Sequence, residues 1–190
     1  MANADTPFGF KWIGNLNGSQ FVGGTVKCNI PATDGTATFV NDAVKIAGSA
    51  DADGVMTVAQ ATAGAAVYGV VTSVHMETQD SLVYRAASTN RYVYVKPVME
   101  GDLFEVQEDS VGGALAATSV GLNADIIVAA GSTTTGLSAM ELDSSTAATT
   151  ATLDLHIHSV VVRPDNAIGT NAKLIVTFNN RQTANQVAGV

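Results

Sequence analysis

The chain has 190 residues and a mass of 19.4 kDa, enough for one domain that buries roughly 70% of the surface its unfolded chain would expose. Nine basic residues stand against seventeen acidic ones, and the net charge of -8 repels phosphate backbones and anionic lipid, which argues against nucleic acid and membrane as partners. Only 14% of residues are charged, 18 are glycine and mean hydropathy is +0.22, a profile that predicts an all-β chain with apolar surface left over for contact with another protein.

The chain opens MANADTPFGF, which has neither a basic n-region nor an apolar h-region, so synthesis and folding in the cytoplasm are expected. In the stretch TPFGFKWIG, Phe8, Phe10 and the only tryptophan, Trp12, share one side if the backbone is extended. Aromatic residues are favoured interface anchors, so residues 1–14 are expected to form an extended N-terminal arm with Phe8, Phe10 and Trp12 as candidate interface residues. The alternative is an edge strand whose aromatics close the end of a barrel. NGS at Asn17 is a glycosylation sequon without a secretory context.

Short β-rich runs then recur between turn residues. They are SQFVGGTVKCNI, ATFVNDAVKIAG, GVMTVAQ, AVYGVVTSVHM, RYVYVKP, DLFEVQED, ADIIVAAG, SAMELDS, TLDLHIHSVVVRP and AKLIVTFNN. These predict a single-domain β-barrel or sandwich over residues 15–180, with long loops and at most one short helix, placed in GGALAATSVG. Cys28 has no partner for a disulfide and no zinc spacing, and reads as a small buried apolar residue. SADADG carries acidic spacing reminiscent of a calcium loop but lacks the closing bidentate glutamate, so it reads as a turn.

GDLFEVQEDS with Glu100 before it concentrates five carboxylates, Glu100, Asp102, Glu105, Glu108 and Asp109. Period-two geometry points Phe104 and Val106 to one face and Glu105 and Gln107 to the other. Val93 and Val95 of the preceding strand are expected to share the Phe104/Val106 face across a hairpin, with Glu100 and Asp102 flanking its turn and Glu105 facing water. The acids are then spread over about 20 Å of strand, whereas a paired acid/base site needs two carboxyls roughly 5 to 9 Å apart. The segment is expected to be structural.

In LHIH, His156 and His158 lie on one face of a strand, opposite Leu153, Leu155, Ile157 and Val161. Two imidazoles do not make a metal site; the cupin pattern would add a carboxylate where Val162 and Arg163 stand, so a third ligand would have to come from His75, Asp154 or elsewhere. No metal, cofactor or catalytic residue is assigned. No nucleophile elbow, P-loop or dinucleotide fingerprint is present, and GSTTTG is a hydroxyl-rich loop, not a phosphate cradle. After the last run, NNRQTANQVAGV is polar and without apolar periodicity, so residues 181–190 are expected to be a flexible tail.

The order of TPFGF, RYVYV leading to GDLFEVQEDS, VGLNAD, GSTTTGLSAMELDSS and RPDNAIGTNAKLIVTFNN resembles the capsid decoration, or cement, proteins of tailed bacteriophages, from about Pro7 to Asn180. The resemblance implies a β-barrel-like domain that binds the major capsid protein shell on the outer surface of the virion, self-associates as a dimer or trimer, and has no catalytic residues to transfer. Another phage structural part, a tail-tube or adhesion module, is the alternative, and a small β-sheet metalloenzyme a more distant one.

Overall fold

Alternating apolar and polar residues, β-branched side chains and frequent turns give strands almost everywhere in the computed structural model, which describes residues 3–18 and 24–184. The chain is all-β. Its only helical content among the described residues is two single 3-10 turns, Ala117–Ser119 in the expected GGALAATSVG stretch and Ser144–Thr146, the second capped by the Asp143 carboxylate accepting from Ser145 N at 2.9 Å. No helix among the described residues is long and apolar enough to cross a membrane.

Two β bodies share one domain. The first is a closed barrel of β2 (Val26–Ile30), β3 (Ala43–Ala50), β4 (Met56–Gln60), β5 (Gly69–Val74) and β6 (Arg91–Pro97), joined in the order β2-β4-β3-β5-β6. The second is an open sheet of β1 (Lys11–Asn15), β7 (Asp102–Gln107), β8 (Asn123–Ala124), β11 (Leu155–Val160) and β12 (Lys173–Phe178), in the order β1-β7-β12-β11-β8. β9 (Ile126–Ile127) and β10 (Glu141–Leu142) form a two-stranded ribbon. Residues 19–23 of the expected SQFVGGTVKCNI strand lie outside the described residues.

Each body has its own core. Inside the barrel, Cys28, Ile30, Val44, Val58, Val71, Val93 and Val95 pack together. Under the open sheet, Phe10, Phe104, Val106, Leu155, Ile157, Leu174, Val176 and Phe178 pack with Ala43 and Val70. Adjacent residues therefore serve different cores: Ala43 and Val70 face the sheet while Val44 and Val71 face the barrel interior, as period-two geometry requires of a strand buried on both sides. Cys28 is fully buried and burial pushes its thiol up to about 11, so it is a core residue with little thiolate at neutral pH.

Three expectations need correction. β6 and β7 are not a hairpin: the turn Val98–Gly101 carries the chain from barrel to open sheet, so Val93 and Val95 belong to the barrel core and Phe104 and Val106 to the other. Residues 11–14 are not a free arm, because β1 pairs with β7 through Lys11↔Glu105 and Trp12↔Phe104. The tail is docked as far as Ala184: Gln182 N donates to Val67 O at 2.9 Å, Ile46 N donates to Gln182 Oε1 at 2.7 Å, and Thr183 Oγ1 donates to Val98 O. Residues 185–190 of the expected tail lie outside the described residues.

Candidate functional site

The outer face of the open sheet collects most of the chemistry the sequence singles out. Strand register decides which side chains meet there, since residues directly opposite one another point to the same face. Lys11 stands opposite Glu105, Glu105 opposite Ile175, Gln107 opposite Lys173, and His156 opposite Thr177. Recesses lie at two places on this face.

At one end, a recess of about 450 Å³ is lined by His156, His158, Thr177, Glu100, Arg181 and their neighbours. The imidazole centroids are 4.8 Å apart with the rings at 79°. His156 Nδ1 lies 2.8 Å from the Asn123 side-chain oxygen and donates its proton to it, and His158 Nε2 lies 3.1 Å from Thr177 Oγ1. Burial, with the neighbouring His156, holds the His158 pKa below its ordinary value, which keeps it neutral near pH 7. Neither expected third ligand joins them. His75 packs edge-on against Tyr92 and Tyr94 of the barrel, and Asp154 is fully buried with its carboxylate accepting from Gly64 N at 2.9 Å. No cluster of three or more His, Cys, Asp or Glu able to hold a metal is present among the described residues.

At the other end, a recess of about 510 Å³ is lined by Phe8, Lys11, Glu105, Leu137, Arg163 and Lys173, with Thr6 and Asn41. Glu105 does not face water as expected: it is 6% exposed because the loop after β11 lays Arg163 over it, Nη2 to Oε1 at 2.8 Å. Asn166 holds that loop shut by donating to Val161 O and Lys173 O at 2.8 and 2.9 Å and accepting from Lys173 N at 2.8 Å. Asn3 adds hydrogen bonds to Ala167 and Thr170.

The five carboxylates of residues 100–109 are divided among separate tasks. Asp102 is paired with Lys96 at 2.5 Å; burial pushes its pKa up, but hydrogen bonds from Lys96, Met99 N, Trp12 and Asn15 outweigh this and hold the pKa below the usual carboxylate range. Glu108, fully buried, accepts from Ser110 N and Oγ at 3.0 and 2.8 Å, and Asp109 accepts from Ser144 N and Oγ at 3.0 and 2.8 Å. Glu100 lines the histidine recess. None is held against another in an acid/base pair. A group with no distinguishing mark in the sequence is Glu141: burial, then Asp5, Asp109 and Glu108, push its pKa up to about 7. Buried Gln107 bridges it to Asp5, at 3.3 and 3.1 Å.

The three aromatic candidates part company. Gly9, with φ +74°, breaks the extended alternation, so Phe8 and Phe10 do not share a side. Phe10 is fully buried against Phe178, ring centroids 4.9 Å apart. Trp12 is half-buried against the same core and donates from Nε1 to Asp102 Oδ1 at 3.2 Å. Phe8 is half-buried and lines the cationic recess. Sequence reasoning also passes over Arg85, a fully buried guanidinium that donates to the carbonyls of Pro31, Asp34, Thr36 and Thr89 and so clamps two loops together. The acidic turn SADADG is a turn: Asp51 accepts from Asp53 N, Val55 N and Tyr92 Oη.

No protein-family model, no curated protein and no solved structure matches this chain.

Proposed function

We propose that the protein is a structural component of a tailed-phage virion that decorates the outer surface of the capsid by binding the major capsid protein shell as a self-associated oligomer. The motif order in the sequence suggests the family. The observation that carries the reading is the apolar surface beside the terminal strand of the open sheet. β1 is that strand, and Ile13 on it and Leu16 just after it are 39% and 60% exposed. Met99, 53% exposed, stands in the turn to which Leu16 is tied through Leu16 N donating to Gly101 O at 2.8 Å.

A terminal strand flanked by exposed apolar side chains is a hazard for an isolated protein and an asset for one that works in contact with copies of itself or a shell. Many such contacts, each modest, become strong attachment when an oligomer rebinds at high effective concentration. The reading assigns no catalytic role; Asp102, Glu105, Glu108 and Asp109 hold turns and loops together.

The experiment is to add purified protein to preassembled heads of its own phage that lack it, and to pellet the heads. Stoichiometric co-sedimentation is expected, reduced for the Ile13→Ser/Leu16→Ser/Met99→Ser variant while its far-ultraviolet spectrum stays that of the wild type. Wild-type protein that stays in the supernatant, or that instead forms tubes alone, overturns the reading.

A further inference from the structure

We infer that the recess beside Phe8 is a binding site for a carboxylate group carrying an apolar or aromatic body, presented either by a free organic acid or by an acidic residue of a partner chain. The inference stands apart from the capsid reading, because it rests on local charge and shape alone.

The local charge is opposite to that of the whole molecule. In a chain of net charge -8, the recess gathers Lys11, Arg163 and Lys173 against the single carboxylate of Glu105. Glu105 is already neutralised by Arg163, which also meets the exposed Asp165 from its outer side, Nε to Oδ1 at 3.4 Å. Lys11 and Lys173 have no ion-pair partner among the described residues. Although Lys11 is the cross-strand neighbour of Glu105, no ion pair forms between them, since the carboxylate is turned to the guanidinium. Two ammonium groups are thus left facing a concavity, where low-dielectric walls strengthen their attraction for an anion.

The walls set the rest of the ligand. Phe8 and Leu137, both half-buried, supply apolar surface next to these cations, and a volume of about 510 Å³ has room for an aromatic or branched aliphatic body. The site is also preorganised. Lys11 and Lys173 project from strands of one sheet, and the loop carrying Arg163 is fixed by the Asn166 and Asn3 hydrogen bonds, so little ordering remains to oppose binding. Gln107, the cross-strand partner of Lys173, also binds Asp5 and Glu141 and takes a hydrogen bond from Thr6 N, so the Thr6 edge of the recess borders negative charge.

The test is a nuclear magnetic resonance titration of the intact chain with three probes: phenylacetate, a blocked tetrapeptide alternating phenylalanine and glutamate, and the same tetrapeptide with lysine in place of glutamate. The acidic probes are expected to shift the side-chain signals of Lys11, Arg163 and Lys173 and to bind more weakly as salt rises. Binding by both acidic probes identifies a site open to free acids; binding by the acidic tetrapeptide alone identifies a peptide partner. Lys11→Gln/Lys173→Gln should weaken binding roughly tenfold or more, because removing even one charge-assisted hydrogen bond weakens binding by about that factor. Phe8→Ala should weaken phenylacetate binding, because it removes an apolar wall of the recess. The inference is overturned if neither acidic probe shifts those three side chains at millimolar concentration, if the lysine tetrapeptide binds equally well, or if the double glutamine variant, folded as judged by its amide spectrum, binds like the wild type.

Discussion

Phe10 and Phe178 meet with ring centroids 4.9 Å apart and planes tilted by 55°, joining the segment before the first strand to the last strand of the open sheet. Phe178 in turn meets Phe104 edge-on at 5.1 Å, so three aromatic rings from distant parts of the chain form one cluster under the sheet. Phe10→Ala is therefore expected to cost about 3 to 5 kcal/mol of stability, as for a fully buried phenylalanine. Phe8→Ala, at a half-buried surface position, should cost less than about 1 kcal/mol. Urea unfolding of the two variants checks this; equal losses would place both residues in the same environment, against the geometry.

The pair Lys96 and Asp102 gives a second expectation. Both are nearly buried, and the carboxylate also serves Met99 N, Trp12 and Asn15 at the turn between barrel and sheet. Lys96→Met leaves Asp102 buried without its cation and should cost about 3 to 5 kcal/mol, whereas Lys96→Met with Asp102→Leu should recover part of that loss, because the unpaired charge is the larger cost. Thermal melts of the single and double variants measure the difference, and a double variant no more stable than Lys96→Met would contradict it.

Gly9 is expected to resist any side chain. Its φ is +74°, and a Cβ there would sit 2.5 Å from both Asn41 O and Ser138 Cβ. Gly9→Ala should destabilise by about 2 kcal/mol or more, from strain in the left-handed region added to the clash. Gly54, also at positive φ but with open space around it, should lose only about 1 kcal/mol on the same change. Melting temperatures of the two variants, measured side by side, test the ranking.

Much of the strand pattern is legible in the sequence, because Phe104 and Val106, or Leu155 and Ile157, alternate with polar neighbours and the alternation alone assigns their faces. The division into two bodies is not, since nothing local in Val98–Gly101 distinguishes a hairpin turn from a crossing between barrel and sheet. Glu105 shows the same limit: its outward direction follows from period two, but its cover, Arg163, comes from a loop far along the chain. For residues 11–15 the edge strand is only the alternative to an arm, and its partner β7 is not legible because the pairing joins segments 90 positions apart, as the Trp12 to Asp102 hydrogen bond illustrates. The cationic recess needs both pairings, β1 to β7 and β7 to β12, before Lys11 and Lys173 can be seen to share a face.

Glu141 predicts a pH dependence. Its carboxyl titrates near 7 in the folded chain and near its ordinary 4.5 when unfolded. Between these values the folded state holds a proton that the unfolded state has released, so the associated stability is complete below about pH 4.5 and is lost as pH rises through 7. Glu141→Gln cannot ionise, and at pH 8 it should exceed the wild type by on the order of 2 kcal/mol, a figure discounted from the full shift for partial solvent screening. The gap should close toward pH 4.5. A gap independent of pH between 4.5 and 8 would show that Glu141 does not titrate as described.

The capsid reading meets its most direct test in a density map of the mature phage particle whose genome encodes this chain. The account predicts density fitted by the barrel and open sheet on the outside of the icosahedral head, repeated with the shell's symmetry, with the β1 edge around Ile13, Leu16 and Met99 buried against a neighbouring copy or the shell. Density confined to the tail tube or fibres, or a particle that does not contain the chain, would contradict it.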